Sequence, residues 1–241
     1  MSDKPNYGID APGVIRNLIL SGLAVAVFCI IVPSWQIGPV KLLFFPNLLV
    51  SAAFLTTPGI LMLIYSKHGK FKHRERILDC VPWTGAERVL DVGTGRGLLL
   101  AGAAKRLTTG KAIGIDIWNQ EDLSGNNLQN LERNLELEGV RDKTEVRNEN
   151  AQKMSFANNS FDAVVSNLCL HNIYSQAGRA QACWEIARVL KPGGVAVISD
   201  FRHTGEYVGV LGDAGLMVEK QPLAWDTFPP LRIITAKKPT D

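Results

Sequence analysis

The residues with the clearest chemical potential are Val89-Leu90-Asp91-Val92-Gly93-Thr94-Gly95-Arg96-Gly97. An apolar run leads into three glycines at two-residue spacing, and a second apolar run follows. That order describes a buried strand, a tight turn and the start of a helix. Glycine permits backbone angles that a side chain forbids and lets a ligand approach the main chain. The helix start adds unpaired N–H groups and the positive end of a dipole. Such a turn cradles a nucleotide-like cofactor. An acid at Asp116, ending the next strand, suits a ribose diol. A carboxylate at Asp91 suits a cationic, amino-acid-like group and repels a pyrophosphate; its alternative role is to cap nearby backbone N–H groups. The spacing Gly-x-Gly-x-Gly is tighter than Gly-x-Gly-x-x-Gly, although a nicotinamide-dependent oxidoreductase shares much of this pattern.

Two further segments belong to the same rim. Asn150-Ala151 follows the third strand and is placed to flank an adenine ring, and Asn167-Leu168-Cys169-Leu170-His171-Asn172 follows the fourth. Candidate bases are His171, Asp200 and His203. His171 and Asn172 lie where an acceptor would meet the cofactor. Arg202 and His203 are candidates to hold an anionic acceptor, or else pair locally with Asp200 or Glu206. Trp225, with Phe228, Pro229 and Pro230, is a candidate apolar wall. No residue set has metal-ligand spacing: Cys29, Cys80, Cys169 and Cys183 are scattered, with no CxxC and no Cys/His cluster. That pattern argues against zinc and against a disulfide framework, and it fits a reducing compartment.

These residues need a scaffold that brings strand ends together. From residue 86 onward strands and helices alternate. Strands are expected at 88–92, 111–118, 144–147, 161–166 and 195–200, then at 216–223 and 232–237. Helices are expected at 98–107, from 123 or 124 to 137, at 179–190 and at 206–213. Alternation implies a parallel sheet covered on both faces, with ligands beyond the strand carboxyl ends. The last two strands have only a short loop between them, which cannot make a parallel crossover, so the last strand runs antiparallel.

The chain before this domain is different. Residues 1–13 read as a loose polar tail. Residues 14–32 are apolar except near their start, and residues 42–65 carry no charge. Each run is long enough to cross a bilayer. Residues 33–39 form the turn between them, with Trp35 at a headgroup position. Pro58 is a tolerable kink in a membrane helix, and Pro46 is either a kink or the first turn of the second span. Residues 67–76 contain five Lys or Arg. The positive-inside rule therefore predicts a two-pass hairpin with both termini cytoplasmic, and the basic run is expected on anionic headgroups. A signal peptide and the buried helices of a soluble domain are the alternatives. The organisation expected is a tail (1–13), a transmembrane hairpin (14–66), a basic linker and helix (67–85) and a cofactor domain (86–241). Net charge of +3 gives no case for nucleic acid. A homodimer is compatible with the hairpin.

Residues 89–97, Gly114-Ile115-Asp116, Phe161-Asp162-Ala163-Val164-Val165-Ser166 and Val189-Leu190-Lys191-Pro192-Gly193-Gly194 occur in that order. Together they resemble the class I S-adenosylmethionine-dependent methyltransferases, over residues 76–240. The resemblance implies a doubly wound, mostly parallel seven-stranded α/β sheet with an antiparallel last strand, and S-adenosylmethionine as cofactor. It implies that Gly93, Thr94, Gly95 and Gly97 line the methionine and ribose moieties. Asp91 would lie near the amino-acid end, Asp116 on the ribose hydroxyls, and Ile117 and Trp118 beside the adenine. Asn150 stands where the family commonly has Asp. Asn167 completes the cofactor set. A membrane-anchored enzyme with a small lipophilic acceptor is the reading; a binding protein without catalysis is its alternative.

Overall fold

The computed structural model describes residues 4–45 and 47–240. The chain begins with α1 (Pro12–Ile31), a two-stranded ribbon of β1 (Ser34–Ile37) and β2 (Val40–Leu43), and α2 (Asn47–Ile64). The second apolar run thus starts as a strand: Val40 to Leu43 pair back on Ser34 to Ile37 across Gly38-Pro39. Pro46 lies outside the described residues. α2 continues without a break through a π-helical turn (Tyr65–Gly69) into α3 (Lys70–Leu78). By length and composition both apolar helices can cross a membrane, and only 17% of each apolar window is buried. Small residues hold the two together: a Cβ on Gly22 would fall 2.0 Å from Thr56 Oγ1, and one on Gly59 2.9 Å from Ile19. Close backbone approach at glycine is the usual route to helix pairing in an apolar medium.

Next come β3 (Arg88–Val92), α4 (Leu98–Arg106), β4 (Lys111–Asp116), α5 (Leu128–Leu137), β5 (Thr144–Asn148), β6 (Phe161–Asn167), α6 (Gln176–Val189), β7 (Leu190–Asp200), α7 (Thr204–Asp213), β8 (Met217–Ala224) and β9 (Leu231–Lys237). They form a seven-stranded sheet of order β5-β4-β3-β6-β7-β9-β8. β9 is antiparallel to both β7 and β8, as the short loop before it requires. Strand residues alternate between two cores. Leu90, Val92, Ile113, Ile115 and Val164 join α6 and α7 on one face. Val89, Ala112, Ala163, Val165 and Val197 meet α3, α4 and α5 on the other. A period of two buried on both sides is what a helix-covered parallel sheet demands.

Three expectations change. The helix after β4 starts at Leu128, capped by Asn127, whose side chain accepts from the Asn130 N–H at 2.8 Å. Residues 119–126 instead form a loop that turns at Gly125. Lys191 to Gly194 do not separate helix from strand; they begin β7, with a register shift against β6. The expected loose tail is docked. Asn6 N–H donates to Asn134 Oδ1 at 2.9 Å and Tyr7 OH donates to Glu138 at 2.6 Å. Ile9 and Ser124 exchange bonds of 2.7 and 3.0 Å. The tail's polar groups find partners on α5 and on the 119–126 loop, so its composition alone misreads it.

Candidate cofactor and acceptor site

The glycine turn leaves β3 at the middle of the sheet. Gly93 and Thr94 N–H both donate to the Ile115 carbonyl, at 2.9 and 3.0 Å, which folds the turn back over β4. Gly93 has φ 75°, and a Cβ there would lie 2.2 Å from Cys169 Sγ. Gly97 has φ 85° and caps α4. These two positions exclude side chains by backbone angle, and the first also by space.

Carboxylates surround the turn. Asp116 Oδ2 accepts from Gly95 N–H at 2.7 Å, and Oδ1 accepts from Trp118 N–H at 2.7 Å and from the Asn126 side-chain amide at 3.4 Å. Oδ2 keeps a second lone pair for a diol. Asp91 is 1% exposed. Its Oδ2 accepts from Thr94 Oγ1 at 2.8 Å, while its Oδ1 is buried without a partner. Burial, reinforced by the charge of Asp116 and opposed by the Thr94 bond, pushes the Asp91 carboxyl up to about 7. The Cys169 thiol sits among these acids: burial and then Asp116, Asp200, Asp91 and Asp122 raise it far above its ordinary range. It stays protonated and is no nucleophile. A cationic ligand relieves this crowding of negative charge, and a pyrophosphate would add to it. The orphaned oxygen of Asp91 fits a cationic amino or sulfonium-bearing cofactor.

A methyltransferase-domain family model matches residues 90–198. That segment carries a methyltransferase domain, of the kind found in the class I S-adenosylmethionine-dependent methyltransferases. Its cofactor is S-adenosylmethionine. The chain is 30% identical over 126 residues to the ubiquinone/menaquinone biosynthesis C-methyltransferase UbiE of Vibrio cholerae, covering 52% of this chain and 45% of that protein. It is 32% identical over 123 residues to a demethylmenaquinone methyltransferase of Symbiobacterium thermophilum, covering 51% and 45%. The matched region is thus less than half the length of these curated relatives. Among solved structures, a SAM-dependent methyltransferase of Methanosarcina mazei superposes with a TM-score of 0.57 at 20% identity, covering 68% of this chain and 98% of that one. The [4+2]-cyclase SpnF superposes with a TM-score of 0.61 at 14% identity over the whole of both chains. These likenesses concern the fold.

In the methyltransferase domain, Gly93, Thr94, Gly95, Gly97, Asp91 and Asp116 meet at one place. Trp118 follows Asp116 with φ 60° and packs on the core, whereas Ile117 is 63% exposed. Asn150 is exposed, and its side-chain oxygen accepts from Gln152 N–H at 2.9 Å. Ala151 packs against the core beneath. Asn167 ends β6, with its Oδ1 buried and unpartnered.

Beyond the ends of β6 and β7, His171 Nδ1 lies 2.9 Å from Asp200 Oδ1, in an approach outside hydrogen-bond alignment. The His171 main chain donates to the other oxygen at 3.2 Å, and its ring meets Phe201 edge-on at 4.7 Å. Asp200 is 1% exposed and also accepts from Phe201 N–H at 2.8 Å. Asn172 follows in the same short 3-10 turn. His203 lies apart, 3.8 Å from Glu206, whose main partner is Arg179 at 2.9 Å. Arg202 is exposed.

Trp225 is 78% exposed and walls no enclosed space. Its loop is tied to α3 by Asp226, which pairs with Lys72 at 2.8 Å and Arg76 at 2.9 Å. Part of the basic run is therefore spent on the domain itself. Sequence reasoning placed Cys169 in the rim segment without a role of its own, and it passed over the 6–11 segment, the 119–126 loop and Tyr65. None carries a motif; only chain proximity in space reveals them.

Proposed function

We propose that this chain is an S-adenosylmethionine-dependent methyltransferase held in a membrane by α1 and α2, with its domain and both termini cytoplasmic, acting on a small lipophilic acceptor. The observation that carries this reading is where the apolar helices meet the domain. Asp10, next to α1, makes a bridge to Leu123 in the loop over the glycine turn. Ser66, just past α2, donates to Asp10 Oδ2 at 2.9 Å. Both helices thus reach the domain at the carboxyl edge of the sheet, beside the cofactor cradle. A lipophile leaving a bilayer there has the shortest path to the transferable methyl group. Two of the relatives, a ubiquinone/menaquinone biosynthesis C-methyltransferase and a demethylmenaquinone methyltransferase, agree with an acceptor of that kind.

Bound at the cradle, S-adenosylmethionine supplies an electrophilic methyl group and a neutral thioether leaving group. Asp91 and the glycine turn hold the amino-acid end, Asp116 the ribose, and Trp118 the adenine. His171 takes the proton of an acceptor hydroxyl, with Asp200 orienting and stabilising the imidazolium that forms. Much of the rate then comes from alignment and exclusion of water. The second, nicotinamide-dependent reading loses ground because its pyrophosphate would face Asp91, Asp116, Asp122 and Asp200.

The test uses the full chain in vesicles made from total bacterial lipid extract, with methyl-labelled S-adenosylmethionine. Label is expected in the organic phase and absent with the Gly95→Arg protein. Label confined to water-soluble products or to protein overturns the lipophilic acceptor. Cofactor binding without any transfer overturns the enzyme.

A further inference from the structure

The helix that leaves the hairpin carries an irregularity at its point of contact with the domain. Tyr65–Gly69 is a π-helical turn between two α-helical stretches. Such insertions cost regular hydrogen bonding and are often found at functional sites. Tyr65 opens that turn. Its ring packs against Gly69, four residues onward, where a Cβ would fall 2.8 Å from Tyr65 Cδ2, and Tyr65 is only 4% exposed.

What it reaches is the end of β6. The Tyr65 hydroxyl and the Asn167 side chain interact, yet neither Tyr65 Oη nor Asn167 Oδ1 has an aligned hydrogen-bond partner among the described residues, and both are buried. Asn167 lies just beyond Ser166, whose hydroxyl donates to the Val92 carbonyl at 2.9 Å, immediately before Gly93. The pair therefore stands beside the glycine turn. Two buried polar atoms left unpaired carry a penalty that a ligand removes. Their chemistry states which ligand group does so. A phenolic O–H donates, and an amide oxygen only accepts. A hydroxyl satisfies both at once, accepting from Tyr65 and donating to Asn167. A ketone or ether leaves Asn167 Oδ1 unpaired.

The mounting is rigid. Ser66 is bonded to Asp10, and Lys70, 4% exposed, donates to the Tyr7 and Gly8 carbonyls at 2.8 and 2.7 Å. Position 65 is fixed against the docked 6–11 segment and hence against the loop over the cofactor.

Resting on the reading of a lipophilic acceptor given above, we propose that Tyr65 and Asn167 form the acceptor-binding pair of this enzyme and select a lipophile that carries a hydroxyl group. The hairpin then contributes a specificity residue to the site as well as an attachment.

The experiment compares full-length wild type, Tyr65→Phe and Gly69→Ala in vesicles of total bacterial lipid extract with methyl-labelled S-adenosylmethionine. Calorimetry with S-adenosylhomocysteine runs alongside to report folding and the cofactor site. Tyr65→Phe keeps the ring and is expected to raise the extract concentration at half-maximal rate about tenfold, the scale of one lost hydrogen bond in a buried site, while cofactor affinity stays at the wild-type value. Gly69→Ala displaces the ring and is expected to act in the same direction, with no added effect in the double variant. Label should appear in a product whose acceptor is protected from methylation by prior acetylation of the extract's hydroxyl groups. Unchanged acceptor dependence in Tyr65→Phe overturns the pair while leaving the lipophilic acceptor standing, and so does weakened cofactor binding. Full labelling of acetylated extract overturns the hydroxyl requirement. Absence of any lipid label with wild type overturns the underlying reading and this inference with it.

Discussion

Asp116 spends both carboxylate oxygens on backbone N–H groups of Gly95 and Trp118, whereas Tyr65 Oη and Asn167 Oδ1 are buried without an aligned hydrogen-bond partner among the described residues. The donor side is preorganised by the chain itself. The acceptor side is held rigid but left chemically open. Asp91 stands between these two conditions, with one oxygen on Thr94 and one free. A cofactor shared across a large family of chains is met by a cradle complete in its own bonds. An acceptor particular to one chain is met by groups that wait for it.

That contrast can be broken at three points. The largest effect is expected at the proton acceptor. His171→Gln should lower kcat about 100- to 10,000-fold, the range for loss of a general base, with S-adenosylhomocysteine affinity unchanged. Loss of cofactor binding in that variant would move His171 to the donor side. Next, Asp116→Ala should weaken S-adenosylhomocysteine binding by about 1–3 kcal/mol, read by calorimetry, without altering acceptor dependence. An unchanged affinity would remove Asp116 from the ribose.

The smallest effect sharpens the intermediate case. Burial raises Asp91 to about 7, above the ordinary aspartate value of about 4. The folded protein without ligand therefore favours the protonated form. That contribution to stability is fully present below about pH 4 and is lost as pH rises through about 7. A bound cation favours the ionised form instead. Affinity for S-adenosylhomocysteine should rise between pH 6 and pH 8 by about tenfold, then level off, and Asp91→Asn should flatten the curve. A slope that survives in Asp91→Asn would assign the titration to another group.

The legible part of the site was local. Gly93 to Gly97 announce a strand–turn–helix because glycine angles and a buried run are properties of neighbouring residues. Asp116 was legible because its place at a strand end follows from the same alternation. The antiparallel β9 followed from loop length. Less legible were groups whose roles depend on distant chain. Trp225 has the composition of a pocket wall, but Lys72 and Arg76, about 150 positions earlier, tie its neighbour Asp226 to α3, and Trp225 stays exposed. The 6–11 segment has the composition of a loose tail, but Asn134 and Glu138 give it partners.

Taken alone, the sequence determined the sheet and the two apolar helices, because each depends on periodicity, spacing or run length within a short stretch, and the order of its motifs carried the resemblance that implies the cofactor. Only the tertiary structure decided that the Tyr65 hydroxyl is buried without an aligned partner, that Cys169 lies beneath Gly93, and that Asp91 Oδ1 has no partner among the described residues. Those outcomes depend on which atoms meet across the fold. An unpaired buried atom is defined by the absence of neighbours from every other part of the chain, and no stretch of sequence records that. The glycine turn could be read as a cradle from nine residues, while the unpartnered buried pair Tyr65 and Asn167 comes from residues more than a hundred positions apart.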